Sequence, residues 1–437
     1  MCLISFASSL LAGCNKDKTT PAKELSVVIS ADTAGWLMPC GCTSNQSGGL
    51  LRRGTYLSDL KKDCEILYLD AGGAVGGTSA YHRAKFESIL VGERLMSVAA
   101  HNLGKSELAL GADYLRDVTR RTQTPFISAN ATDAAGQRIA PASIQLTRAG
   151  RQLLIIGVVS PRFAGAGIKI SDPRQAVLSV IGDSKKSDRS TILVLAYLPE
   201  DELNSLAASL PEADAVIGGA TGQAVSPRLV GPVLVGAATN KGKFLIKLDA
   251  PPPASPWTGS VVEMGPTYAD AADQRQNVTA YLDRLAKADF SAAESALVEP
   301  LSPGTPADYR VAGSASCATC HEPDQKPWSA SQHAHAFDTL KHKNFHVDPY
   351  CQSCHTTGYG LPGGFERLSV STTQRGVGCE NCHGPSAAHV RDPKKHTPWA
   401  ASDQCVRCHD HENSPKFDYA TYWPRIAHGK PAAGNKR

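Results

Sequence analysis

Four short segments of this 437-residue chain carry the same constellation: two cysteines separated by two residues, followed directly by histidine. They are Cys317-Ala318-Thr319-Cys320-His321, Cys351-Gln352-Ser353-Cys354-His355, Cys379-Glu380-Asn381-Cys382-His383 and Cys405-Val406-Arg407-Cys408-His409. Two thiols at that spacing add across the two vinyl groups of one haem, and the next histidine is held beneath the iron as proximal ligand. Random placement of the chain's cysteines and histidines yields about 0.01 such motifs, so four of them carry the reading. Zinc sites also use paired cysteines, and each pair could close a disulfide. Neither requires a histidine after every second cysteine. The motifs imply four covalently bound haem c groups, with His321, His355, His383 and His409 on the iron.

Each iron has a sixth position, and a second histidine there makes a low-spin electron carrier, whereas an open position permits small-molecule chemistry. Beyond the proximal four, and His82 and His101 in the first half, eight histidines remain: His333, His335, His342, His346, His389, His396, His411 and His428. That is more than four distal ligands require.

The elements that must hold these motifs are weakly written. From about residue 307 Gly, Pro and His are frequent and hydrophobic periodicity fades, and aromatic residues make up only 6% of the chain. A mostly irregular, partly helical domain over 307–437 is expected, with haem as its core. Upstream the pattern is different. Apolar runs at Leu25–Ala31, Glu65–Asp70, Gln152–Val159, Thr191–Tyr197, Ala213–Gly218, Val233–Gly236 and Phe244–Leu248 read as strands buried on both faces. Helix-like stretches lie at Ala84–Asn102, Tyr114–Thr122, Pro173–Ile181 and Glu200–Ser209, so residues 25–250 read as an α/β domain. Pro251-Pro252-Pro253 breaks the pattern, and 251–306 reads as a Pro-rich linker with a helix over Thr267–Asp289.

Net charge is +4 with neutral histidine and no basic run stands out, so nucleic acid is not an expected partner. Residues 1–14 read as an export signal and 15–24 as a polar tether. Leu11-Ala12-Gly13-Cys14 resembles a bacterial lipobox, which implies lipidation of Cys14; a plain signal peptide with an incidental cysteine is the alternative. The chain is thus expected to be exported as a lipoprotein that faces the periplasm or the cell surface. Asn15 after Cys14 favours the outer membrane.

Trp328-Ser329-Ala330-Ser331-Gln332-His333-Ala334, Gly376-Val377-Gly378-Cys379 with Gly384-Pro385, Ala388-His389-Val390 and Trp423-Pro424-Arg425-Ile426-Ala427-His428 resemble the tetrahaem cytochrome family that accepts electrons from hydroxylamine oxidoreductase. The resemblance implies His333, His389 and His428 as distal iron ligands. The fourth distal place falls to His335, His342 or His346, or it is vacant.

Ala31-Asp32-Thr33-Ala34-Gly35, Gly48-Gly49-Leu50-Leu51-Arg52-Arg53, Tyr68-Leu69-Asp70-Ala71-Gly72-Gly73, Leu103-Gly104-Lys105-Ser106-Glu107, Ile127-Ser128-Ala129-Asn130-Ala131 and Val216-Ile217-Gly218-Gly219-Ala220-Thr221-Gly222 resemble the calcineurin-like metallophosphoesterases, in particular periplasmic 5′-nucleotidases. The resemblance implies a four-layer αββα fold. It also implies a lost two-metal site. Asp32 survives, while Ala34, Gly73, Lys105, Ser106, Tyr197, Ala220 and Gly222 stand where the other ligands belong. Nearby, Met38-Pro39-Cys40-Gly41-Cys42 offers a thiol pair, Cys40 and Cys42, whose pKa Arg52 and Arg53 could lower. A structural disulfide involving Cys64 is the alternative reading.

The expected function is electron transfer by an exported multihaem cytochrome, to or from redox partner proteins, with a thiol site in a catalytically dead phosphoesterase domain. A haem- or thiol-dependent reductase of a small nitrogen or sulfur compound is the alternative, and a 5′-nucleotidase-like hydrolase the second.

Overall fold

The computed structural model describes residues 23–39, 46–165, 167–184, 190–251, 255–298, 300–395 and 401–429. Cys14, Cys40 and Cys42 lie outside the described residues.

Fourteen strands are described: β1 (Leu25–Ser30), β2 (Glu65–Asp70), β3 (Ala100–Asn102), β4 (Phe126–Ile127), β5 (Ala131–Asp133), β6 (Ser143–Arg148), β7 (Arg151–Val159), β8 (Ile168–Ile170), β9 (Thr191–Tyr197), β10 (Ala215–Gly219), β11 (Val225–Val230), β12 (Val233–Ala237), β13 (Phe244–Asp249) and β14 (Thr258–Glu263). They form two six-stranded sheets, ordered β14-β13-β1-β2-β3-β4 and β11-β12-β10-β9-β7-β6, with β5 and β8 pairing separately. The central strands are parallel, β1 with β2 from Leu25↔Glu65 to Ser30↔Asp70 and β7 with β9 from Leu153↔Thr191 to Val159↔Tyr197. These are the runs without polar alternation, and two of them are buried throughout: all six residues of β1 and all seven of β9.

One apolar cluster joins the sheets face to face, with Val27, Leu67 and Leu69 from the first against Ile155, Leu193 and Ile217 from the second. Helices cover the outer faces. Helices α1 (Leu51–Asp63), α2 (Ala80–Leu95), α3 (Lys105–Leu108) and α4 (Ala112–Thr122) lie on the first sheet's side; α5 (Pro173–Asp183) and α6 (Glu200–Ala208) pack on the second. The result is the four-layer αββα arrangement. Caps set the helix starts: Ser79 Oγ accepts from the His82 N–H, and Asp172 accepts from the Gln175 N–H ahead of Pro173.

Two expectations give way. The stretch 84–102 is not one helix: α2 ends at Leu95, Ser97 adopts φ +62°, and the chain returns as β3. Residues 251–306 are not merely a linker. β14 pairs along β13 from Phe244↔Glu263 to Asp249↔Thr258, and helix α7 (Ala272–Ala288) buries Val278, Tyr281, Leu282 and Leu285 against α1 and α2. The partners that bury α7 lie far upstream, in α1 and α2.

After Ala288 the elements shorten. Among the described residues from 292 to 429, no helix exceeds the eight residues of Glu322–Ser329. The one apolar cluster there comprises Ala292, Phe337, Leu340, Tyr359 and Phe365.

Candidate functional site

In the C-terminal region each Cys-x-x-Cys-His motif lies on one helical turn. His321 N–H and His409 N–H donate to the carbonyls of Cys317 and Cys405, both at 2.9 Å, and Pro349–His355 and Cys379–His383 are short helices. Positions i, i+3 and i+4 then share one face, so both sulfurs and the imidazole approach a macrocycle from the same side.

Tertiary folding pairs the histidines. His321 faces His389 with ring centres 6.3 Å apart, His333 faces His409 at 6.2 Å, and His383 faces His428 at 6.0 Å. A metal–imidazole bond is about 2.0–2.1 Å and a ring nitrogen lies about 1.1 Å from its ring centre, so two rings across one metal sit about 6.3 Å apart. The three pairs meet that spacing. The second nitrogens agree. Nδ1 of His355, His389 and His428 bonds the carbonyls of Ala336 (2.7 Å), Lys395 (2.9 Å) and Ile426 (2.8 Å). A carbonyl only accepts, so Nδ1 carries the proton and Nε2 keeps the lone pair that a metal needs. His409 Nδ1 bonds Ser414 Oγ at 3.1 Å. Burial lowers the pKa of His333, His383 and His409, which favours the neutral, ligating form. The residues present therefore fit haem.

His355 is different. Among the described residues no histidine ring stands opposite it. His335 spends Nε2 on the Ser329 carbonyl at 3.0 Å, which is the wrong tautomer for Nε2 ligation. His342 is exposed, and the His346 ring packs edge-on to Phe337 with its buried Nδ1 unpartnered. Among the described residues, none of the three candidates His335, His342 and His346 has its ring opposite His355.

The motifs also touch one another. Cys317 and Cys379 are within hydrogen-bonding reach, as are Cys354 and Cys408, and Cys382 lies beside Cys405. In space the motifs run first, third, fourth, second. This order is invisible in the sequence.

In the α/β domain the surviving carboxylate, Asp32, is fully occupied. It accepts from Tyr197 OH (2.6 Å), Thr239 Oγ1 (2.8 Å) and the Ala220 N–H (3.0 Å). Burial raises its pKa, although these donors pull the other way. A Cβ on Gly73 would fall 2.2 Å from Asp32 Oδ1 and 2.7 Å from the Tyr197 ring, so Tyr197 fills the room a bridging aspartate would need. Lys105 does not replace a metal charge; it is exposed and lies over the Phe163 ring.

Beneath lies a fully buried charge cluster that sequence reasoning missed. His101 Nδ1 meets Glu93 Oε2 at 2.7 Å, and its Nε2 lies 3.7 Å from Glu107 and 3.9 Å from Asp70. Burial would lower the His101 pKa, but Glu93 and Asp70 hold it well above its ordinary value. Burial and Glu93 push Asp70 up to about 7. Arg53 is buried in the same cluster, bonding Tyr68 OH (2.9 Å) and Thr33 (3.1 Å). Arg52 reaches the carbonyls of Gln46 and Met264. Both arginines are bonded to these partners, and the thiol pair they were expected to activate lies outside the described residues. The Cys64 thiol is free, the residue caps the far end of α1, and the cysteines it was expected to bridge lie outside the described residues.

The two halves meet at Asp348, just before the second motif. Tyr81 OH donates to one carboxylate oxygen (2.7 Å) and Tyr281 OH to the other (3.1 Å). Lys241 and Lys243 pair with Glu412, beyond the fourth motif.

Comparisons with known proteins agree with this division. Residues 316–384 match the family described as cytochrome c554 and c-prime, a span holding the first three motifs. Cytochrome c-554 of Nitrosomonas europaea is 28% identical over 28% of this chain and 68% of its own length. A 5′-nucleotidase precursor from Thermus thermophilus superposes with TM-score 0.54 at 20% identity, over 60% of this chain and 59% of that one. This chain therefore spans little more than half of that relative. The calcineurin-like phosphoesterase YfkN from Bacillus subtilis gives TM-score 0.51 at 16% identity, over 60% of this chain and 99% of its own. Together with the histidine geometry, these findings support a multihaem cytochrome electron carrier with covalently bound haem c, similar over residues 316–384 to cytochrome c554 and joined to an α/β domain with the fold of the 5′-nucleotidases.

Proposed function

We propose that the chain holds four haem c groups and moves electrons among redox partner proteins outside the cytoplasm. Cys317, Cys320, Cys351, Cys354, Cys379, Cys382, Cys405 and Cys408 attach them. His321 with His389, His383 with His428 and His409 with His333 would hold three of the irons, and His355 would hold the fourth. Each bound haem supplies a one-electron Fe(III)/Fe(II) couple. The chain's part is to fix the imidazole tautomers through carbonyl contacts, to exclude water, and to set the motifs in sequence with the first and second at the ends. The observation that carries this reading is the set of three histidine pairs at 6.0–6.3 Å.

Intact mass and a redox-titrated optical spectrum of the matured protein test it. Four haem increments are expected, with three low-spin centres and one high-spin. His333→Ala, His389→Ala and His428→Ala should each convert one low-spin centre to high-spin, while His335→Ala and His342→Ala leave the spectrum unchanged. A mass equal to the amino acids alone sinks the proposal.

Cys40 and Cys42 enter this proposal as a redox pair. Its support is that Pro39, next to Cys40 in the chain, and Cys351 of the second motif line one cavity. Two-metal hydrolysis is disfavoured, because Tyr197, Thr239 and Ala220 have taken the remaining carboxylate. Export with a lipid on Cys14, facing the periplasm or the cell surface and on the outer membrane by preference, rests on Leu11-Ala12-Gly13-Cys14. Among the described residues no helix is long and apolar enough to cross a membrane.

A further inference from the structure

A cavity of about 220 Å³ lies where the halves join. Its walls come from the loop after β1 (Trp36, Pro39), from α2 (Lys85), from α7 (Tyr281) and from the haem-binding region (Tyr350, Cys351). Neither half alone closes it. At roughly 30 Å³ per water it has room for about seven waters, below the ~300 Å³ at which drug-sized sites begin. It suits an ion of a few atoms.

Two features give it chemistry. The first is charge. Lys85 has no carboxylate partner among the described residues; its ammonium donates to Tyr81 OH at 3.1 Å and lies 5.4 Å from the ring centres of both Tyr81 and Tyr350. The rings hold the amine without neutralising it. The nearby carboxylate, Asp348, is covered by Tyr81 OH, Tyr281 OH and the Tyr350 N–H at 2.9 Å. Burial and Asp348 push both phenols well above their ordinary pKa, so they remain donors to it. A half-buried cation beside a shielded anion leaves the site attractive to negative charge. The second feature is position. Cys351 belongs to the one motif whose proximal histidine, His355, has no histidine opposite among the described residues.

We infer that this cavity binds a small oxyanion at the second haem attachment site, and that Lys85 recognises it. The inference rests on the haem reading of that motif. The haem-loaded full chain is titrated calorimetrically with sulfite and with nitrite, against chloride at equal ionic strength. One oxyanion per chain is expected. Lys85→Met should weaken it about tenfold or more, and Lys85→Arg much less, since the charge is retained. Asp348→Asn should tighten binding, the opposite direction, by removing a neighbouring negative charge. Haem content by intact mass accompanies each variant, so a failure to mature is not mistaken for lost binding. Equal affinity in Lys85→Met, or no binding above the chloride control, overturns the inference. So does a shift of the high-spin band that persists undiminished in Lys85→Met, which would place the anion on iron without this cavity. Four haems without oxyanion binding would leave the electron-transfer proposal standing, whereas a haem-free chain would remove that proposal first.

Discussion

Residues 25–288 bury three large clusters of aliphatic and aromatic side chains, two outside the sheets and one between them. Residues 292–429 bury one small cluster around Phe337, Leu340, Tyr359 and Phe365, and the helices that carry the haem-binding residues are four to eight residues long. Each fully buried aliphatic side chain contributes about 1.5–3 kcal/mol, so the first region can offset its chain entropy with its own residues. The second cannot. Isolated helices shorter than about 12 residues are marginal in water, and these persist only where covalently attached haem supplies the missing apolar matter. The difference separates a region whose own side chains make its core from one that needs haem to supply it.

The largest effect should come from withholding haem. A chain made without cytochrome maturation is expected to lose its structure beyond about residue 300 while the α/β half survives. Limited proteolysis with mass spectrometry reads this directly, and equal resistance of both halves would dissolve the contrast. Within the α/β half, Arg53→Met leaves Asp70 and Glu93 buried beside one cation fewer. A loss of about 3–5 kcal/mol is expected in denaturant unfolding; an unchanged midpoint would mean that the cluster carries no net charge needing Arg53.

A subtler difference is in pH dependence. Between about pH 4 and 7 folded Asp70 holds a proton that the unfolded chain releases, and above about pH 6.5 folded His101 keeps one that the unfolded chain loses. In both windows the folded form binds more protons, so the stability of the α/β half should fall as pH rises. Melting midpoints from about pH 5 to 9 check the slope. His101→Gln should flatten its alkaline part, and an identical slope in that variant would assign the effect elsewhere. The smallest effect concerns the seam between the halves. The Lys241–Glu412 pair is about one-third exposed, so Lys241→Ala should cost at most about 1 kcal/mol, and less at high salt. A larger loss would show that the halves fold as one unit.

The haem attachment sites were legible because their chemistry is local: two thiols and an imidazole must fit on one helical turn. The parallel strands were legible because strands buried on both faces lose polar alternation, as in Leu25–Ser30 and Thr191–Tyr197. The edge strands β6, β11 and β14 were not, since half-exposed residues such as Gln145 or Arg228 blur the pattern. The charge cluster of Asp70, Glu93, His101, Glu107 and Arg53 gave no signal, because its members are scattered over 55 positions and each alone looks like a surface residue. Arg53 illustrates the cost: adjacent to Arg52 in sequence, it points inward while Arg52 reaches loop carbonyls.

Sequence alone pointed to the residues that would attach haem and determined that an α/β domain precedes the haem motifs, because covalent spacing and hydrophobic runs are properties of short segments. Only the tertiary structure decided which histidine faces which, that no described histidine faces His355, that the motifs run first, third, fourth, second, and that a cavity with Lys85 opens beside Cys351. These are meetings between residues tens to hundreds of positions apart, and they depend on how loops close over a core that is itself long-range.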